Sequence, residues 1–274
     1  MKKTVFSAVL CMSLLGGIAI GQTTQSKWSL DDLAKKTSLA DRQAWLKANV
    51  PDATVSFDDR LYWVREKARL DWEAGTLDTT EKFLAQMDAG AAKVQIAQND
   101  LYTFYKAFDT IYLLRDYDAA ETVSAKIRQK SHREGMLLRL YEITKNYEKM
   151  LPVAVSAKDW RLSAIAAINT TNAQNDKRDV IFEYSKKSLT TSIDVYSARF
   201  LCDALLKTDW TGSKVAARDA LDVVAAFRKM IPPVNSESQF LKQWGELAGD
   251  LDMQIQLLEV KIAKDAAAKE DAAK

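Results

Sequence analysis

Between Leu101 and Tyr112 an apolar stripe runs through 101, 104, 105, 108, 111 and 112, recurring at spacings of three and four rather than two. That spacing gives an α-helix one dry and one wet face, and gives a strand no coherent face at all. A second stripe runs through Ile193, Tyr196, Phe200, Leu201, Ala204 and Leu205, and shorter ones through Leu61–Trp72, Leu84–Val94 and Ala220–Phe227. Breakers are scarce: nine glycines and four prolines serve 274 residues, and Gly16, Gly17 and Gly21 lie in an apolar leader. A sheet protein of this size needs more punctuation than the rest supplies. The chain is therefore predicted to be all-α, about ten helices packed as stacked antiparallel hairpins. The stops are placed at Gly75, Pro152, Gly212 and Pro232-Pro233, and the starts at the capping-box-like segments Ser38-Leu39-Ala40-Asp41 and Ser131-His132-Arg133-Glu134.

Met1-Lys2-Lys3, an uncharged run from Val5 to Ile20 and the small-residue site Ala19-Ile20-Gly21 read as a secretory signal peptide over residues 1–21. Thr4 to Gly21 approaches the roughly 20 residues of a membrane-spanning helix, but Gly16-Gly17 and the small-residue site favour cleavage, after which no transmembrane segment is expected. Cys11 follows Ala8-Val9-Leu10 and lacks the small residue that precedes a lipid-attachment cysteine, so lipidation is not expected. The location implied is the periplasm or the exterior. Residues 22–262 are expected to form one all-α domain. Residues 263–274 contain only Ala, Lys, Asp and Glu, a composition suited to a solvated helical or disordered tail.

Without Lys2 and Lys3 the 39 basic residues fall to 37, equal to the 37 acidic ones. A balanced chain lacks the basic surface that displaces counterions from nucleic acid, or that tethers a protein to anionic lipid, so both classes lose ground. Cys202 is the one cysteine beyond the leader, which excludes an internal disulfide there, and its setting in Phe200–Leu206 predicts a buried thiol.

Asp precedes Trp or Tyr at Asp71-Trp72, Asp116-Tyr117, Asp159-Trp160 and Asp209-Trp210, at separations of 45, 43 and 50. At the last three the Asp is expected to cap the second helix of a pair while the aromatic wedges between the two. Arg115-Asp116-Tyr117-Asp118-Ala119-Ala120 resembles the aromatic inter-helix turn of tetratricopeptide-like repeats. The period here exceeds the roughly 34 residues of that family, and the family's small-residue and proline positions do not recur in phase. The resemblance covers turn motifs only and implies an α-solenoid or irregular helical bundle without a specific function. Near the end Leu241, Trp244, Ala248, Leu251, Ile255, Leu258 and Ile262 are spaced alternately by three and four, which predicts one long final helix. This 241–262 seam packs either on the chain's own helices or on a second copy as a homo-oligomer.

His132 is the single histidine, which removes multi-histidine zinc and di-iron sites and HExxH chemistry. Beside Lys130 and Arg133 it is a poor general base and reads as a solvated residue at a helix start. No phosphate-cradling glycine loop and no calcium loop is present, so neither a cofactor nor a metal is expected. The densest basic stretch, Lys126, Arg128, Lys130, His132 and Arg133, either meets a helix C-terminus or binds an anionic envelope component. Of the seven tryptophans, Trp28 and Trp45 lie least clearly on a stripe and are expected to be exposed, where aromatic faces can take a sugar. Three functions follow: an exported, non-catalytic scaffold for a protein partner, a glycan binder with aromatic platforms, and a hydrolase with a carboxylate pair about 5–10 Å apart.

Overall fold

The computed structural model describes residues 28–191, 193–231 and 238–272; the leader at 1–21 and the Pro232-Pro233 stop lie outside them. Thirteen α-helices are described and no strand; one isolated bridge joins Asn172 and Asn175. The expected ten helices become thirteen because short ones such as Leu30–Ala34 leave almost no periodic signal. None of the described helices is long and apolar enough to cross a membrane. The helices cluster into two compact units, the first ending at Ala97 and the second starting at Gln98.

The first unit holds α1 (Leu30–Ala34), α2 (Leu39–Ala48), α3 (Phe57–Glu73) and α4 (Thr80–Lys93). Ser38, Ser56 and Thr79 start the last three, each side-chain oxygen accepting the backbone N–H three residues on, and each cap is worth about 1 kcal/mol. Both α2 and α4 pack on α3, burying Leu46, Trp63, Val64, Phe83 and Met87. Gly90 of α4 faces α3, where a Cβ would stand 3.5 Å from the Trp63 and Val64 side chains, an ordinary packing distance. Polar groups fix the stacking. The Trp63 indole N–H donates to the Leu46 carbonyl at 2.9 Å. The buried Glu66 carboxylate sits between Arg42 and Arg69. Gly75, at φ +72°, closes α3 in the left-handed conformation, as its stop signal predicts.

The second unit holds α5 (Asp100–Asp109) running into a π-helical turn (Thr110–Leu114), then α6 (Tyr117–Ser124), α7 (Lys130–Thr144), α8 (Tyr147–Ala157), α9 (Trp160–Thr170), α10 (Arg178–Leu189), α11 (Val195–Lys207), α12 (Ala217–Met230) and α13 (Gln239–Ala272). From α6 to α13 each helix packs on its successor, and α5 on α7, α9 on α11, α10 on α12 and α11 on α13 also meet. A helix touching both its first and second neighbours is the pattern of stacked hairpins. Cys202 is fully buried among Leu201, Leu205, Val224, Leu247 and Leu251. Burial, with a smaller contribution from the Asp203 charge, pushes its thiol pKa up to about 12.

Three corners share one construction. Lys145 (φ 54°) and Lys158 (φ 57°) close α7 and α8 in the left-handed conformation. The next residue donates its N–H five residues back, Asn146 to Tyr141 at 2.9 Å and Asp159 to Ala154 at 2.9 Å, which is the Schellman bond. That same residue then caps the following helix, Asn146 accepting from the Lys149 N–H and Asp159 from the Leu162 N–H. Arg115 (φ 56°) and Asp116 repeat this after the π turn, with the Asp116 N–H reaching Thr110 and its carboxylate accepting from Ala119. An aromatic, Tyr117, Tyr147 or Trp160, follows each cap. Asp116 and Asp159 thus cap as expected. Asp209 does not: it accepts from the Thr211 N–H in the loop before α12, while Trp210 enters the core. Asp71-Trp72 lies inside α3.

Two further expectations are corrected. Pro152 lies inside α8 and does not end it. Its missing N–H would have met the Glu148 carbonyl, and both residues are exposed. Ser131 is the second residue of α7, so no capping box forms there.

Candidate functional site

Because α2 and α4 lie side by side on α3, the surface between them is a groove of about 360 Å³. Val50, Trp63, Ala89 and Gly90 form its apolar floor and walls, and Lys47, Lys67 and Lys93 come to it from α2, α3 and α4. Lys47 and Lys93 stand in the last turns of their helices, where a cation is favoured by the helix dipole. Both are exposed and neither forms an ion pair among the described residues. Lys67 is engaged with Asp71 at 2.8 Å. Asp71 accepts also from Gln43 of α2 at 2.8 Å and from Gln86 of α4, which lines the groove, at 2.6 Å. Burial pushes the Asp71 carboxyl pKa up, but the bonds from Lys67, Gln86 and Gln43 outweigh it and leave it below its ordinary value. This carboxylate holds both walls to the floor, and the groove keeps an uncompensated positive rim.

The basic stretch predicted from sequence lies in the α6–α7 corner. Arg128 and Gln129 donate backbone N–H bonds to the two oxygens of Asp100, at 2.7 and 2.9 Å, and these bonds hold the Asp100 pKa below its usual value. The Arg128 guanidinium donates to the Gln98 carbonyl, Arg133 donates to the Ile127 carbonyl at 2.8 Å, and Lys130 approaches Glu134 at 3.6 Å. Lys130, His132 and Arg133 thus stand in the first turn of α7, at the positive end of its dipole, and Asp100 supplies the compensating anion from α5. His132 is half-buried against Phe104 at 5.6 Å, with Nδ1 buried and unbonded, and is not the solvated residue expected.

Trp28 and Trp45 are likewise corrected as an exposed pair. They pack on each other at 5.9 Å, Trp28 is 8% exposed and its indole N–H donates to the Asn49 carbonyl, and Trp45 is half-buried. Outside any strong stripe, they gain their cover from the loop after α2. The seven tryptophans are all buried or half-buried, whereas Tyr112, Tyr196 and Phe200 are exposed. A second cleft of about 440 Å³ is lined by Thr144–Glu148, Asn169 and Thr170. Neither cleft is lined by two acids, and no group of three or more His, Cys, Asp or Glu gathers at metal-binding range among the described residues.

The groove lysines carry no signal in the sequence, since 47, 67 and 93 are 20 and 26 residues apart and each alone reads as a solvated helix residue. Only the docking of α2 and α4 on one helix brings them together. The molecule is thus an all-α protein of packed helical hairpins with a cationic groove in its first unit. No protein family model matches the chain, and neither does any curated protein or solved structure at a significant level.

Proposed function

We propose that this protein is an exported, non-catalytic scaffold of tetratricopeptide-like hairpins that holds an extended acidic segment of a protein partner in the α2–α3–α4 groove. The observation that carries the reading is the convergence of Lys47, Lys67 and Lys93 from three helices on one apolar floor, with Lys47 and Lys93 unpaired. Carboxylates along a segment would meet the rim while apolar side chains between them cover Val50 and Ala89. The leader at residues 1–21 supports placement in the periplasm or outside the cell.

The test uses a fluorescent peptide alternating Glu and Leu and follows its anisotropy with the full chain. Binding is expected to weaken as salt screens the rim, and to weaken about tenfold or more in the Lys47→Glu/Lys93→Glu variant, since each lost pair also becomes a repulsion. Equal binding of a Lys/Leu peptide, or an affinity unmoved by the double charge reversal, would sink the reading.

A further inference from the structure

Over its first half α13 is spent inside the second unit. Leu247, Ala248 and Leu251 are buried, and Trp244 packs against Phe227 at 6.4 Å. Ile255 lies against the same core. The 241–262 seam is thus turned toward the chain's own helices at these positions. The opposite face carries a second apolar stripe: Met253 is 57% exposed, Leu257 65% and Val260 54%. At 100° per residue these three lie within about 60° of one another, centred roughly 150° around the helix from Leu251.

The charges on that outer face are arranged with a symmetry of their own. Glu246 and Lys264, both exposed, are 18 residues apart, which is five full turns, so they point the same way about 27 Å apart. Met253 and Leu257 lie equally far on either side of their midpoint. An antiparallel copy related by a two-fold axis at residue 255 therefore sets Met253 against Leu257 of the second copy and Glu246 against Lys264 of the second copy, twice over. Val260 then falls opposite Gly249 and Asp250. Gly249 sits in mid-helix, where glycine costs about 1 kcal/mol against alanine, and a Cβ there would meet nothing within 4 Å in its own chain. A second helix approaching closely gives the absent side chain a use. Neither Glu246 nor Lys264 has an ion-pair partner among the described residues.

We propose that the outer face of α13 is a self-complementary surface that pairs two copies of this chain antiparallel, Met253, Leu257 and Val260 forming the contact and the Glu246–Lys264 pairs fixing its register. Such an interface is isologous, so it closes at two copies and does not propagate. It involves one helix per chain, so the dimer is weak and its population depends on concentration.

Sedimentation equilibrium of the full chain, from about 5 to about 500 µM, is the test. The average mass should rise from one chain toward two. Leu257→Glu should hold it at one chain with an unchanged circular-dichroism spectrum, because that side chain supports nothing in its own fold. Glu246→Lys and Lys264→Glu should each weaken pairing about tenfold, replacing two attractions by two repulsions, and the Glu246→Lys/Lys264→Glu variant should recover the parent value. A monomer throughout the range would overturn the proposal, and so would a dimer indifferent to these substitutions. Vesicle binding by a monomeric chain that Leu257→Glu abolishes would also overturn it, giving the stripe to lipid. The groove variants at Lys47 and Lys93 lie in the other unit, so their outcome is read separately.

Discussion

At the scale of single residues, the context of Cys202 predicted its burial correctly, whereas the contexts of Trp28 and His132 misled. Cys202 lies with Val195, Ala198, Leu201 and Leu205 on the buried face of α11, so its apolar neighbours in sequence report its surroundings, although Tyr196 and Phe200 of the expected stripe are exposed. Trp28 is covered by Trp45 and Asn49, residues that no local pattern ties to it. The buried thiol has a measurable consequence. Cys202 is raised from 9.0 to about 12 by burial, and Tyr141 from 10.0 to about 12 by burial and by the Glu121 carboxylate its hydroxyl donates to. Both are acids that the folded chain keeps protonated after the unfolded chain has lost the proton, so the folded state binds more protons between about pH 9 and 12 and stability falls as pH rises through that window. The urea midpoint should decline above about pH 9, less steeply in Cys202→Ala. At pH 8 an aromatic disulfide reagent should label native Cys202 at least ~100-fold more slowly than the unfolded chain, since reaction waits on opening. A midpoint flat to pH 11, or labelling as fast as in urea, would contradict the burial.

At the scale of elements, the stripes placed the long helices well, but the joints were only half legible. The Asp-aromatic pairs pointed to two real corners at Asp116 and Asp159. They missed the third, at Asn146, because an amide can replace the carboxylate as a cap. They also counted Asp209, where the chain spends nine residues on a loop between Lys207 and Ala217. What the real corners share is the left-handed Arg or Lys ahead of the cap, a conformation no residue type announces. An L side chain there costs about 1 kcal/mol relative to glycine, and among the described residues neither the exposed Lys145 nor the exposed Lys158 forms a side-chain hydrogen bond or ion pair. Lys145→Gly and Lys158→Gly are each expected to raise stability by about 0.5–1 kcal/mol, and Asp159→Ala to lower it by about 1 kcal/mol. Urea melts of the three variants check this, and a loss of stability on introducing glycine would contradict the geometry.

At the scale of the whole molecule, apolar period fixes the fold class and says little about which helices share a core. Residues 22–262 read as one domain because no composition shift marks Ala97, yet the described helices fall into two clusters there. The groove was invisible for the same reason, since it exists only where α2 and α4 meet on α3. The last helix is the clearest test of how the second unit is held. Removing residues 263–274 takes away side chains that are exposed at 263–268 and should leave cooperative unfolding in place. Ending the chain before Leu241 strips Leu247, Ala248 and Leu251 from the core, a loss of about 5 kcal/mol at roughly 2 kcal/mol per large side chain, and should leave the second unit molten by near-ultraviolet dichroism. Equal stability of the two truncations would deny α13 its place.

The shared corners bear on how the chain finds its structure. Where one residue both ends a helix and begins the next, as at Asn146 and Asp159, almost no slack separates the partners, and the entropy of closing a loop is close to its minimum. Helices α7, α8 and α9 meet through contacts between chain neighbours, the topology associated with rapid folding. The turn geometry itself aims each helix back along its predecessor, so this stretch can assemble before the distant closure of α13 on α11 is made.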